Sequence, residues 1–111
     1  MENLQIANLA QIFSALGGET RVQLLLALQN KALSCSDPAT CDLSERCCDV
    51  SELAAATDLA ISTISYHLKE LRRAELIETH RRGTRIYCAI NRNTMDQLAQ
   101  FFEMFKQEVQ P

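Results

Sequence analysis

Five cysteines stand in this chain of 111 residues, and four of them, Cys35, Cys41, Cys47 and Cys48, fall within one fourteen-residue stretch. An odd number of thiols argues against a disulfide framework and for metal binding, redox sensing or buried packing. The gaps of five residues from Cys35 to Cys41 and five more to the Cys47-Cys48 pair differ from the shorter gaps of zinc fingers and ribbons. Three thiolates make the trigonal-pyramidal shell that As(III) or Sb(III) accepts, with a lone pair filling the fourth direction. Four sulfurs suit Cd(II), Pb(II), Hg(II) or Zn(II). The expected ligand set is Cys47 and Cys48 with one further thiol, Cys41 ahead of Cys35. A helix beginning just after Cys48 would favour the thiolate form by its amide dipoles. Asp42, Glu45 and Asp49 oppose that form by repulsion and would favour a cation. Cys88, between Tyr87 and Ala89 in an alternating segment, reads as a buried structural thiol.

A second set of side chains suits an anionic polymer. If Ile61, Ile64, Leu68 and Leu71 face the core, the 100° step of a helix from about Ala60 to Ala74 turns Ser62, Thr63, Tyr66, Glu70 and Arg73 outward. Ser65, His67 and Lys69 flank them. Hydroxyls near the N-terminal end of such a helix suit base edges in the major groove of double-stranded DNA, and Lys69, Arg72 and Arg73 suit phosphates. His80, Arg81, Arg82 and Arg85 cluster at the tip of an expected hairpin, where they can follow a backbone or enter a minor groove. The net charge of −3 hides an uneven spread: residues 57–92 carry seven Lys/Arg against four Asp/Glu, while residues 1–56 carry three against seven. Exposed charges act over roughly 8–10 Å, so a local basic surface can bind phosphate whatever the total.

The elements that must position these groups are mainly helical. Leu9, Ile12, Phe13 and Leu16 recur at helical spacing before Gly17-Gly18, and Val22, Leu25 and Leu26 mark a second helix from Glu19 to about Lys31. Residues 33–48 break every period and read as a long loop. Asp49-Val-Ser-Glu52 fits a capping box opening a helix to about Ala56 that buries Val50, Leu53 and Ala54. Thr57-Asp58-Leu59 makes a tight turn before the helix of Ala60–Ala74, a helix-turn-helix pattern over 50–74. Leu76–Arg81 and Arg85–Ile90 alternate around Arg82-Gly83-Thr84, a hairpin or "wing" over 76–90. Met95, Leu98, Phe102 and Phe105 stripe a last helix from Asn93 to about Glu108, with Phe101 and Met104 extending the stripe. The expected fold is mainly α with a small β-hairpin, a single winged helix-turn-helix domain over 1–111 in the order ααααββα. Its first helix (1–17) and last helix (93–108) are expected to form a homodimer.

Composition narrows the function. An apolar share of 47% and a charged share of 23% are those of a globular protein. The longest apolar run, Leu24 to Leu28, is far too short to span a bilayer, and the opening Met1-Glu2-Asn3 has no secretion-signal pattern, so a cytoplasmic location without membrane contact is expected. No Ser/His/Asp set, phosphate-binding glycine loop or nucleophile-base pair is visible, which argues against an enzyme. A thiol redox or persulfide sensor on the same fold, through Cys35–Cys47 or Cys41–Cys48 bridges, is one alternative. A metal-buffering protein without DNA is another, but it leaves the basic wing unexplained.

The order of motifs resembles the ArsR/SmtB metal-sensing repressors over about residues 10–105. Ala15-Leu-Gly-Gly-Glu-Thr-Arg21 is similar to the family's opening "ALADPTR" phrase and Val50-Ser-Glu-Leu-Ala54 to its "V-x-[DE]-L-A" helix. Ile64-Ser-Tyr-His-Leu68 is similar to its "[VI]-S-x-H-L" recognition helix, and Arg82-Gly-Thr-Arg-Ile-Tyr87 to its wing. The resemblance implies a homodimer on a palindromic operator, released by an inducer, with Ser65 and His67 joining Ser62 and Thr63 at the DNA. Ala60 and Ile61 depart from the serine and glutamine common there. Some members bind zinc through Asp, His and Glu of the last helix, but residues 93–111 hold no histidine. Arsenic-responsive relatives place Cys-x-Cys at the start of the third helix, close to where Cys47-Cys48 stand.

Overall fold

The computed structural model describes residues 5–33, 42 and 46–109. In chain order its elements are α1 (Ile6–Leu16), α2 (Glu19–Leu33), α3 (Val50–Thr57), α4 (Ile61–Arg73), β1 (Ile77–Arg82), β2 (Arg85–Ile90) and α5 (Arg92–Lys106). This is the expected ααααββα order. Cys35 and Cys41, and with them most of the expected 33–48 loop, lie outside the described residues.

Local chemistry sets the elements that carry the site. Asp49 caps α3: its carboxylate accepts from the Glu52 amide at 2.8 Å, and Glu52 Oε1 accepts from the Asp49 amide at 3.2 Å. Both donors would otherwise be orphaned at a helix start, so this reciprocal pair fixes where the helix begins. Asp58, in the left-handed region at φ 59°, ends α3. Its short polar side chain is among the few that visit that region readily. The turn it makes delivers the chain into α4.

α4 ends in a reversal of the same hand. Glu75 has φ 60°, its amide bonds Arg72 O at 2.9 Å, and the Leu76 amide bonds Leu71 O at 3.0 Å. That pattern satisfies the last helical carbonyls and swings the chain directly into the hairpin. β1 and β2 pair antiparallel from Ile77↔Ile90 to Arg82↔Arg85. Gly83, first of the two residues between them, has φ +63°, a conformation that two-residue hairpin turns demand and glycine supplies without strain. Asn91 caps α5 by accepting from the Thr94 amide at 3.2 Å.

The core lies where α2, α3 and α4 meet the base of the hairpin. Leu24, Leu53, Ile64, Leu71 and Leu76 are fully buried, joined by Leu28, Leu68, Ile77 and Leu98. Each such side chain contributes about 1.5–3 kcal/mol through burial. One expectation fails: Ile61, read as core-facing, is 57% exposed. It shares the stripe of Ile64, Leu68 and Leu71 in angle, but it occupies the first turn of α4, where packing has not begun. Val50 and Ala54 are only partly buried, and Leu53 alone anchors α3 fully.

Candidate nucleic-acid interface and thiol cluster

On α4 the polar face emerges as the spacing predicts. Ser62, Thr63, Ser65, Tyr66 and Lys69 are exposed, as are Arg72 and Arg73 beyond them. His67 is different. It is half-buried, and its Nδ1 accepts from Arg21 Nε at 3.2 Å, leaving only Nε2 to reach outward. The same guanidinium lies 3.4 Å from the carbonyls of Ser14 and Ala15, so one arginine joins the end of α1 to α4. His67 therefore helps to hold α4 in place, a role that its position beside Tyr66 did not reveal.

Arg81, Arg82 and Arg85 are exposed along the hairpin tip. Two of them already have carboxylate partners. Arg82 pairs with Asp42, and Arg85 reaches Asp49 Oδ2 at 3.3 Å. The Arg82–Asp42 pair is exposed on both sides and contributes about 0–1 kcal/mol, so a phosphate can displace that acid, whereas the Asp49 carboxylate is nearly buried. Both acids belong to the cysteine-bearing stretch. The wing is thus linked by charge to the segment that holds the thiols. Asp49 binds Glu52 with one oxygen and Arg85 with the other, coupling the start of α3 to the hairpin.

Of the expected thiol ligands, Cys47 and Cys48 fall among the described residues, and both are buried. Between them and the hairpin the chain forms one isolated antiparallel bridge, Cys48↔Cys88: the Cys48 amide donates to Cys88 O at 3.1 Å and the Cys88 amide to Cys48 O at 2.7 Å. Cys88 is buried, as its strand setting predicts, but it is not isolated from the other thiols. Burial pushes the Cys48 thiol up to about 11, with Glu52 adding to the rise and Lys31 opposing it. Burial does the same to Cys88, also to about 11, with Cys47 the next largest contribution. Cys47 is raised by burial against the opposing pull of Arg46. Where a thiolate was expected at the helix N-terminus, burial raises all three thiols, which are neutral near pH 7.

Among the described residues, no three His, Cys, Asp or Glu side chains already stand as a metal-binding group. Lys31, whose charge acts on Cys48, has its Nζ 2.8 Å from Glu52 Oε2.

Helix-turn-helix, arginine-tipped hairpin and flanking helices together define a winged helix-turn-helix protein. Residues 39–79 match the family model described as bacterial regulatory protein, arsR family. The chain is similar to the HTH-type transcriptional regulator KmtR of Mycobacterium tuberculosis (strain ATCC 25618 / H37Rv), with 30% identity over 94 residues, 85% of this chain. It spans 61% of the length of that relative. Among solved structures, it resembles the homodimeric winged helix-turn-helix DNA-binding domain of Mb0332 from Mycobacterium bovis, at TM-score 0.64 and 25% identity, covering 91% of this chain and 80% of that one. An ArsR-like transcriptional regulator from Rhodococcus sp. RHA1 shares the fold at TM-score 0.67 and 24% identity, covering 90% of this chain and 80% of the other. Residues 39–79 are thus similar to the arsR-family regulatory segment, and the chain shares the winged helix-turn-helix fold of these relatives. Among the described residues no helix is long and apolar enough to cross a membrane.

Proposed function

We propose that this chain is a cytoplasmic transcriptional repressor that binds double-stranded operator DNA as a homodimer and leaves it when a thiophilic metalloid or metal binds its cysteines. The observation that carries the reading is the exposed polar face of α4 beside an arginine-tipped hairpin. Ser62, Thr63, Ser65 and Tyr66 supply short and aromatic hydroxyls where a recognition helix meets base edges, with His67 Nε2 at their margin. Lys69, Arg73, Arg81, Arg82 and Arg85 supply phosphate contacts. The relatives' names, which describe transcriptional regulators and a homodimeric DNA-binding domain, support the same reading.

As(III) or Sb(III) is the favoured inducer, with Cys47 and Cys48 as its first ligands and Cys41 or Cys35 within reach along the chain. Cd(II), Pb(II), Hg(II) and Zn(II) are the other thiophilic candidates. The two acid–arginine pairs give the signal a route. Rearranging the stretch around Cys47 and Cys48 disturbs Asp42 and Asp49, and therefore Arg82 and Arg85. A coupling of about 1–3 kcal/mol between ligand and DNA would weaken operator binding roughly 5–150-fold.

Fluorescence anisotropy with the DNA upstream of the chain's own gene, against a scrambled duplex, tests the reading. The reduced protein is expected to prefer the upstream duplex, and Arg82→Ala to lower affinity for both while reducing the salt slope by about one. Arsenite or antimonite added to the preformed complex should release it. Equal affinity for the two duplexes would refute the proposed repressor.

A further inference from the structure

Cys88 stands 2% exposed, directly opposite Cys48, itself 4% exposed. Residues opposed in a hydrogen-bonded antiparallel pair have Cα atoms about 5.5 Å apart and project their side chains from the same face. A single atom bonded to both sulfurs can close such a span, as a disulfide does between Cα atoms roughly 4.4–6.8 Å apart. The position is also reachable. Cys88 lines an open cleft of about 260 Å³ between α4 and the hairpin, with Lys69 and Arg72 on the helix side and Thr79 and Ile86 on the hairpin side. A thiol meant only for packing does not need a wall on the groove between the two DNA-reading elements.

We infer that Cys48 and Cys88 form a two-thiol site for a trivalent metalloid hydroxide, entered from the cleft between α4 and the hairpin. Cys88 is then the thiol that ties ligand binding to the wing. Arsenite, As(OH)3, loses two hydroxyls as two waters, each taking the proton of one thiol, while two As–S bonds form. The third hydroxyl stays on the arsenic. No electron is transferred and no charge is left in the site. The buried site favours a guest that leaves no net charge behind. Its effect on DNA rests on the repressor reading above: one atom joining Cys48 to Cys88 pins β2 to the start of α3 and fills the inner end of the cleft between the two reading elements.

The test maps the site on the intact chain with phenylarsine oxide, which exchanges its oxygen for two thiol sulfurs and releases one water. Trypsin cuts after Arg46, Lys69, Arg85 and Arg92, so the arsenical should join the 47–69 peptide to the 86–92 peptide in the mass spectrum. That joint should vanish in Cys48→Ala and in Cys88→Ala. The arsenite concentration that releases half the operator should rise at least tenfold in Cys88→Ala. An adduct confined to residues 35–48, a joint that survives Cys48→Ala, or unaltered arsenite release in Cys88→Ala would overturn the site. Failure of the wild-type chain to bind its promoter would refute the repressor reading instead, and the adduct map would still decide where the arsenical sits.

Discussion

Asp49 shows how much one side chain carries when three functions converge. It ends the cysteine stretch, caps α3 through the Glu52 amide and holds Arg85 of the hairpin. A cap of this kind contributes about 0.5–2 kcal/mol, so the start of α3 is firm, and Arg85 is held to it from the exposed side of the hairpin. Next to it, Cys48 and Cys88 make a residue-scale prediction about alkali. Their thiols stand at about 11 against an ordinary 9.0, chiefly through burial. Folding therefore favours the protonated form. The associated stability is fully present below pH 9 and is lost as pH rises from 9 towards 11. A tenfold change in proton affinity corresponds to about 1.4 kcal/mol, so the loss is on the order of 2–3 kcal/mol for each thiol. Urea unfolding of the reduced chain between pH 8 and 11 should show this decline, and Cys88→Ala should show a shallower one. Parallel curves for the two proteins would mean that thiol burial does not set the alkaline limit.

Among the elements, α4 separates what sequence pattern can and cannot reveal. Its stripe of Ile64, Leu68 and Leu71 was legible because helical periodicity is local, and so were the Asp49–Glu52 capping box and the Arg82–Arg85 turn. The exposure of Ile61 was not legible, because periodicity gives an angle but not whether another element covers the first turn. The Cys48–Cys88 bridge and the Arg21–His67 contact were hidden for a related reason: each joins residues forty or more apart, and nothing local marks the pairing. Arg85–Asp49 and Arg82–Asp42 were hidden in the same way, although the charges themselves were plain. Ile61 now carries a prediction of its own. Because it is largely exposed at the start of the reading helix, Ile61→Gln should change stability by no more than about 0.5 kcal/mol. If α4 reads DNA as proposed, it should nevertheless alter affinity or base preference, since the first turn of a recognition helix meets base edges. Thermal unfolding and binding to a panel of single-base operator variants would check both halves. A large loss of stability would return Ile61 to the core.

At the scale of the whole molecule, the unmet demand is for apolar cover. Phe13 of α1 packs against Phe101 and Phe102 of α5, with ring centroids 5.6 and 5.9 Å apart, so the first and last helices share one aromatic surface. Among the described residues that surface is not closed: Phe102 is 51% exposed and Phe105 72%, and Met104 and Phe13 also reach solvent. An apolar patch on adjacent helices calls for a partner, and a second copy of the same patch is self-complementary under two-fold symmetry. Pairing through α1 and α5 would set the two α4 helices at a fixed separation, which a palindromic operator requires, since half-sites lie about one helical turn apart or a multiple of it. Phe102→Glu with Phe105→Glu would place two carboxylates on each side of that interface while leaving the buried core of Leu53, Ile64 and Leu71 untouched. The wild-type chain should sediment as a dimer and the double variant as a folded monomer with a native-like circular dichroism spectrum. Operator affinity of the variant should fall at least a hundredfold, because one reading helix gives up the contacts of the second half-site. A variant that remains dimeric would show that the chain pairs through another surface.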